Sequence, residues 1–141
     1  MALSISFVFS LIFLGGIQQA NGKIYESAGQ KFRFEVLTQQ KGVIWGFDFL
    51  SENQIIFTQR SGALKIFDLK DKSVTTIKGS PKVWAEGQGG LLDVRVHPTS
   101  KQQIYLTYSE PLGDGATTAF GRGSLDKGEL KFKKLFSTQL S

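Results

Sequence analysis

Residues 43–77 read VIWGFDFLSENQIIFTQRSGALKIFDLKDKSVTTI, and they give the clearest indication of the secondary structure of this chain. Within it, short runs of β-branched and aromatic residues alternate with polar connectors of hairpin length. Such a pattern is typical of antiparallel strands joined by tight turns. The stretch therefore predicts four antiparallel strands, at residues 43–50, 54–58, 63–69 and 73–77.

A second set of four runs follows the first, at residues 91–97, 103–108, 116–125 and 130–136. FDF at residues 47–49 matches VRV at 94–96, and IIF at 55–57 matches IYL at 104–106, a shift of about 47 to 49 residues. Four antiparallel strands repeating at this period are typical of β-propeller blades. The sequence thus predicts an all-β chain with two propeller blades, residues 43–77 and 91–136. An eight-stranded β-sandwich is the alternative fold.

Two blades alone leave two apolar faces uncovered, because each blade buries its faces against its neighbours. Three or more repeats are normally required for a stable array. We therefore expect either self-association through the uncovered blade faces or a chain that is an incomplete piece of a longer ring. The second interpretation is favoured.

The first 22 residues carry no charged side chain and contain an apolar run at residues 5–14. That run is shorter than the roughly 20 residues that a membrane span needs. Small residues at Ala20 and Gly22 suit a signal peptidase. We expect a cleaved signal peptide at residues 1–22, a mature chain beginning near Lys23, no membrane span, and a periplasmic or secreted protein. The mature part, residues 23–141, is predicted to be a partial propeller domain.

Residues 32–37 alternate apolar and polar side chains and are predicted to form a separate strand that pairs with the last blade of a complete ring.

The formal net charge of +5 comes from scattered lysines, and only residues 131–134 are densely basic. This favours a solvated sheet face over a nucleic-acid partner. The chain has no cysteine and one histidine, which excludes disulfides and the usual zinc clusters.

Residues 83–94 read VWAEGQGGLLDV and form the most distinctive stretch of the chain. Three glycines flank Gln88, so the backbone there can approach another chain or a ligand closely. The Gln88 amide offers one donor group and one acceptor at that bend. In a propeller, loops entering the innermost strands gather around the central channel, which makes Gln88 the candidate binding residue. The alternative is a tight turn with a solvent-facing glutamine. The run is not a phosphate cradle, since it lacks the lysine of a P-loop and leads into a strand.

His97 is followed by Pro98, which starts a turn, and we predict that the histidine caps the strand end rather than acting as a base. Asp114 lies between two glycines and is predicted to be a turn residue, because one acidic side chain is no calcium loop.

These residues carry a resemblance to the N-terminal part of the glucose/sorbosone dehydrogenase family, in particular to its soluble aldose sugar dehydrogenases. The similarity covers roughly residues 34–136, and EGQGGLLD at residues 86–93 is its most specific run. The other matching segments are WGFDFL at 45–50, IFTQRSG at 56–62, HP at 97–98 and IYLTY at 104–108.

The resemblance implies a six-bladed propeller that binds pyrroloquinoline quinone and calcium at the top of its channel. It also implies oxidation of an aldose to its lactone by hydride removal. Of the family's site residues, Gln88 alone maps onto this chain, where it would lie beside the sugar and the quinone. The catalytic histidine belongs to a later segment, so no catalytic or metal-binding residue is assigned here. Ile44 and Gln59 depart from the family's usual proline and glutamate.

The leading hypothesis is therefore a fragment of a sugar dehydrogenase that is inactive alone and is not expected to bind the quinone or calcium by itself. The alternative is a non-enzymatic, propeller-like module that binds a ligand or a protein.

Overall fold

A computed structural model of the chain describes residues 23–138 and contains ten strands in that part, without a helix. The chain divides into two units, one ending at Val36 and the other beginning at Leu37, and each is described by itself. The predicted signal peptide, residues 1–22, lies outside the described residues, so its cleavage stays a prediction. No helix long and apolar enough to cross a membrane occurs among the residues described.

The smaller unit contains a β-hairpin of strands β1 (Ile24–Ser27) and β2 (Gln30–Arg33). Ala28 and Gly29 form its two-residue turn with φ of 49° and 74°, the positive values that a type I′ turn requires. The strand predicted at residues 32–37 overlaps β2 only at Phe32 and Arg33, since β2 ends at Arg33 and residues 34–40 belong to no strand. Its pairing with the last blade of a complete ring stays a prediction. The turn fixes a register in which β2 begins at Gln30 and Ile24, the first residue of β1, pairs with Arg33.

The first four-stranded sheet consists of the strands β3 (Ile44–Ser51), β4 (Gln54–Gln59), β5 (Leu64–Asp68) and β6 (Val74–Ile77). These consecutive strands are antiparallel and lie in the order β3-β4-β5-β6. They begin and end within two residues of the predicted bounds. In the β5–β6 turn, the Asp68 carboxylate accepts hydrogen bonds from the Lys70 backbone at 2.9 Å and the Gln54 amide at 3.1 Å. The bond from Lys70 is the main reason why the pKa of Asp68 is lowered.

The second sheet consists of the strands β7 (Leu91–Val96), β8 (Gln103–Leu112), β9 (Gly115–Asp126) and β10 (Glu129–Ser137). These strands are again consecutive and antiparallel, in the order β10-β9-β8-β7. Strands β8 and β9 are longer than predicted because the connector expected at residues 109–115 is only a two-residue turn, Gly113-Asp114. Gly113 adopts a φ of 56°, which lets the ladder continue up to Leu112 and Gly115.

One face of each sheet is buried against the other sheet in a shared core. Strand β3 meets strand β7 closely, since a Cβ added at Gly46 would lie 2.5 Å from Asp93 Oδ1. Side chains also bond across the junction: Asp48 Oδ2 accepts from the Val96 backbone at 2.8 Å, and the buried Thr58 hydroxyl donates to the Leu92 carbonyl at 2.9 Å. The core consists of Ile56, Leu64, Ile77, Leu91, Val94, Val96, Ile104, Leu106, Tyr108, Ala119 and Leu130.

The opposite face of the first sheet is covered only in part. Phe57 and Phe67 are buried there, whereas Phe47 and Phe49 are 56% and 55% exposed. Beside this face, the buried Gln59 amide donates to the Lys41 carbonyl at 2.8 Å. A glutamate at that position would bring no such donor when ionised.

Each sheet contains four consecutive strands, and the strands of the two sheets do not interleave as those of the alternative sandwich would. The two sheets meet through their first strands, β3 and β7. This is the arrangement of two adjacent propeller blades, and the predicted all-β propeller fold is confirmed.

Candidate functional site

Residues 78–90 connect the two sheets and carry Gln88 just before β7 begins. The segment bends at residues 86–89, where the Gly89 backbone donates to the Glu86 carbonyl at 2.7 Å. Gly87 sits within the bend at a φ of 52°. Gln88 is exposed at this corner, so its amide is available to a ligand.

The glycines after Gln88 are required by close backbone contacts. A Cβ at Gly89 would lie 2.4 Å from the Trp84 carbonyl oxygen, and one at Gly90 would lie 2.3 Å from the Arg60 carbonyl oxygen. Gly90 also adopts a φ of 143°, which residues with a side chain rarely reach. The loop is thus packed directly onto the backbone of the first sheet's β4–β5 turn.

Arg60 is the site residue that sequence reasoning missed. It follows β4, and its guanidinium donates to the Ala85 carbonyl through Nη2 at 2.7 Å and to the Gly89 carbonyl through Nε at 3.3 Å. Arg60 belongs to a segment that matches the family, but no spacing in the sequence indicates that its side chain reaches a loop 25 to 29 residues away.

A groove of 340 Å³ lies beside the junction of β3 and β7. Its polar groups are already paired: Asp48 bonds the Val96 backbone, and Asp93 lies 3.4 Å from Arg95 in an ion pair. Among residues 23–138, no group of three or more acidic, histidine or cysteine side chains is placed to hold a metal ion. The groove is lined by Trp45, Gly46, Phe47, Asp48, Phe49, Asp93 and Arg95.

His97 lies at the other end of β7 from the Gln88 loop. At about 3.3 Å per strand residue, the six steps from Leu91 to His97 span about 20 Å. The His97 Nδ1 accepts hydrogen bonds from the Thr99 and Ser100 backbones at 3.3 and 3.2 Å. These are the contacts of the predicted strand-end cap. The structure does not bring His97 and Gln88 together, and Asp114 lies in a hairpin turn as predicted.

The two blades and the loop that joins them place this chain among the β-propeller proteins, and comparison with known proteins identifies the family. The family described as Glucose / Sorbosone dehydrogenase matches residues 41–140. This chain belongs to that family. It is 41% identical over 95 residues to the aldose sugar dehydrogenase YliI of Escherichia coli (strain K12), an alignment covering 64% of this chain and 26% of the relative.

Solved structures agree with this assignment. The soluble aldose sugar dehydrogenase from Escherichia coli, in its apo form, aligns with a TM-score of 0.67 at 37% identity, over 73% of this chain and 32% of that chain. The PQQ-bound aldose sugar dehydrogenase from Streptomyces coelicolor aligns with a TM-score of 0.66 at 19% identity, over 84% of this chain and 35% of that chain, and supports the fold alone. The chain spans about a quarter to a third of the length of these relatives.

Proposed function

We propose that this chain contributes the Gln88 loop to the active site of an aldose sugar dehydrogenase that uses pyrroloquinoline quinone. The observation that supports this most directly is the exposed Gln88 amide on a turn fixed by Gly89, Gly90 and Arg60. A backbone turn that is held in place restricts the positions that the Gln88 amide can reach, so less ordering is needed when a polar substrate binds. The uncharged residues 1–22 support a periplasmic or secreted location.

The residues of the loop fit a role in binding rather than in proton transfer. The space above Gly87 is open, since nothing lies within 4 Å of a Cβ added there, so a flat ring can approach the backbone. The quinone, when bound, supplies the hydride acceptor. Gln88 can hydrogen-bond a sugar hydroxyl or a quinone oxygen, but an amide cannot take up a proton at neutral pH. Calcium is assigned no ligand among residues 23–138, where no suitable cluster occurs.

The role of Gln88 can be tested in a chimeric enzyme in which the 95 matching residues of YliI are replaced by those of this chain. Gln88→Ala is expected to lower kcat/KM for an aldose by about five- to a hundredfold, because a ligand atom left without its hydrogen-bond partner costs about 1–3 kcal/mol. Activity should persist, because Gln88 is not the base. The measurement is aldose-dependent reduction of a dye acceptor.

The matched control is Gln102→Ala, which removes another exposed glutamine, in the turn between β7 and β8. It should leave kcat/KM unchanged. Equal rates for Gln88→Ala and the unmodified chimera would contradict the proposed role. A chimera that folds but binds aldose without oxidising it would instead favour the non-enzymatic binding module.

We also propose that the isolated chain self-associates through the uncovered face of its first sheet. The exposed Phe47 and Phe49 rings lie 6.2 Å apart there in an edge-to-face pair and form an apolar patch. Analytical ultracentrifugation should show dimers or larger species that dissociate when both phenylalanines are changed to lysine. Leu112→Lys, an equally exposed change at a hairpin tip, should have no such effect. A monomeric unmodified chain would refute the proposal.

A further inference from the structure

We infer that Arg60 is the positioning residue for Gln88, holding the turn that carries it in the orientation a ligand requires. This inference rests on the proposed function of Gln88 and assigns a second residue to the same site. It follows from the contacts of Arg60 on both sides of the turn.

The two guanidinium bonds bracket Gln88 along the chain. One goes to the Ala85 carbonyl, three residues before Gln88, and the other to the Gly89 carbonyl, directly after it. A side chain that fixes both flanks of a turn restricts the rotation of the residue between them. The Arg60 bonds therefore limit the orientation of Gln88 more than either bond would alone.

The backbone of Arg60 is held in place as well. Its N–H donates to the Val43 carbonyl at 2.9 Å, and its carbonyl accepts from the Leu91 N–H at 3.2 Å. The second bond joins Arg60 to the first residue of β7. Because the backbone of Arg60 is bonded next to β3 and at the start of β7, its guanidinium places the turn relative to both sheets.

The charged guanidinium of Arg60 donates its hydrogen bonds to backbone carbonyl groups. The ion pairs in the described part of the chain are Asp93–Arg95 and Glu110–Lys134, and Arg60 belongs to neither. Hydrogen bonds from a charged donor are roughly twice as strong as neutral ones. The planar guanidinium presents several donors in a fixed geometry, whereas lysine carries a single nitrogen on a flexible chain. Lysine therefore cannot place donors at the two separate positions that Nε and Nη2 occupy, and it is expected to restore the contacts only in part.

Hydrogen exchange on the 141-residue chain tests the geometric part of the inference. Arg60→Ala should speed exchange of the Gly89 N–H, which bonds the Glu86 carbonyl, by about tenfold or more, as local opening becomes easier. Amides within β5 and β8 should be unchanged. Arg60→Lys should give an intermediate rate at Gly89, and Arg122→Ala on β9 should give none of these effects. Unchanged exchange at Gly89, or equal acceleration in every strand, would overturn the inference.

The chimeric enzyme tests whether Arg60 acts through Gln88. Arg60→Ala should lower kcat/KM by about tenfold alone, with partial recovery in Arg60→Lys, but should cause no further loss when added to Gln88→Ala. Losses that multiply in the double variant would show that Arg60 acts independently of Gln88 and would overturn the inference. If Gln88→Ala has no effect while Gly89 exchange responds to Arg60→Ala, the proposed function of Gln88 falls and the Arg60 contacts stand as a structural clamp.

Discussion

The purified 141-residue chain, supplied with pyrroloquinoline quinone, calcium and an aldose, is expected to reduce a dye acceptor no faster than a mixture without protein. Oxidation of a sugar hydroxyl requires a base to take its proton, and a positioned base contributes about 10²- to 10⁴-fold. Gln88 cannot serve as this base, and His97 lies about 20 Å along β7 from Leu91, at the far end of the strand from the Gln88 loop. The quinone also needs fixed partners for the charge that develops on it. The expected loss of rate is therefore larger than the loss caused by the missing base alone.

The assay needs YliI as a positive control under the same conditions. Turnover by the chain alone would contradict the expectation. Loss of that turnover in His97→Ala would show further that His97 acts in catalysis and that its interpretation as a strand-end cap is wrong.

Gly90→Ala is expected to destabilise the chain by about 2–6 kcal/mol. An alanine at the φ of 143° costs about 1–3 kcal/mol, and its methyl group, 2.3 Å from the Arg60 carbonyl oxygen, costs about as much again. Because domains are stable by only about 5–15 kcal/mol in total, this is a large fraction. Denaturant unfolding followed by circular dichroism should show a much lower midpoint or no folded baseline.

Gly87→Asn is the matched control, because it lies in the same loop at a φ of 52° with nothing near its added Cβ. Asparagine tolerates this left-handed conformation, so the cost should stay below about 1 kcal/mol. Equal unfolding midpoints for Gly90→Ala and Gly87→Asn would show that the contact between Gly90 and Arg60 carries no such energy.

The blade architecture could be predicted because it depends on local patterns. The polar connectors at residues 51–53 and 70–72 separate alternating apolar runs, and the observed strands follow them closely. The bounds predicted for the strand at residues 32–37 differ from those of β2 for a local reason too. The Ala28-Gly29 turn sets the hairpin register, and alternation alone could not show where pairing begins.

The candidate site could be predicted only in part. Gln88 stands out because glycines surround it in the sequence. Arg60 does not, because its contacts with Ala85 and Gly89 depend on how two sheets pack, which is a property of the tertiary structure. The same holds for Thr58, whose buried hydroxyl bonds Leu92 across the junction. In the sequence, Thr58 reads as an ordinary strand residue.

The hydrogen bonds between the end of β6 and the β9–β10 turn affect the chain while it is being synthesised. The Lys78 backbone, just past β6, bonds the Gly128 carbonyl at 3.0 Å and accepts from the Leu130 N–H at 2.8 Å. During translation at about 5–20 residues per second, residue 130 is made about 3–10 s after residue 78. Throughout that interval the Lys78 N–H and carbonyl lack their partners in the chain, and they are free to bond water or the backbone of another chain.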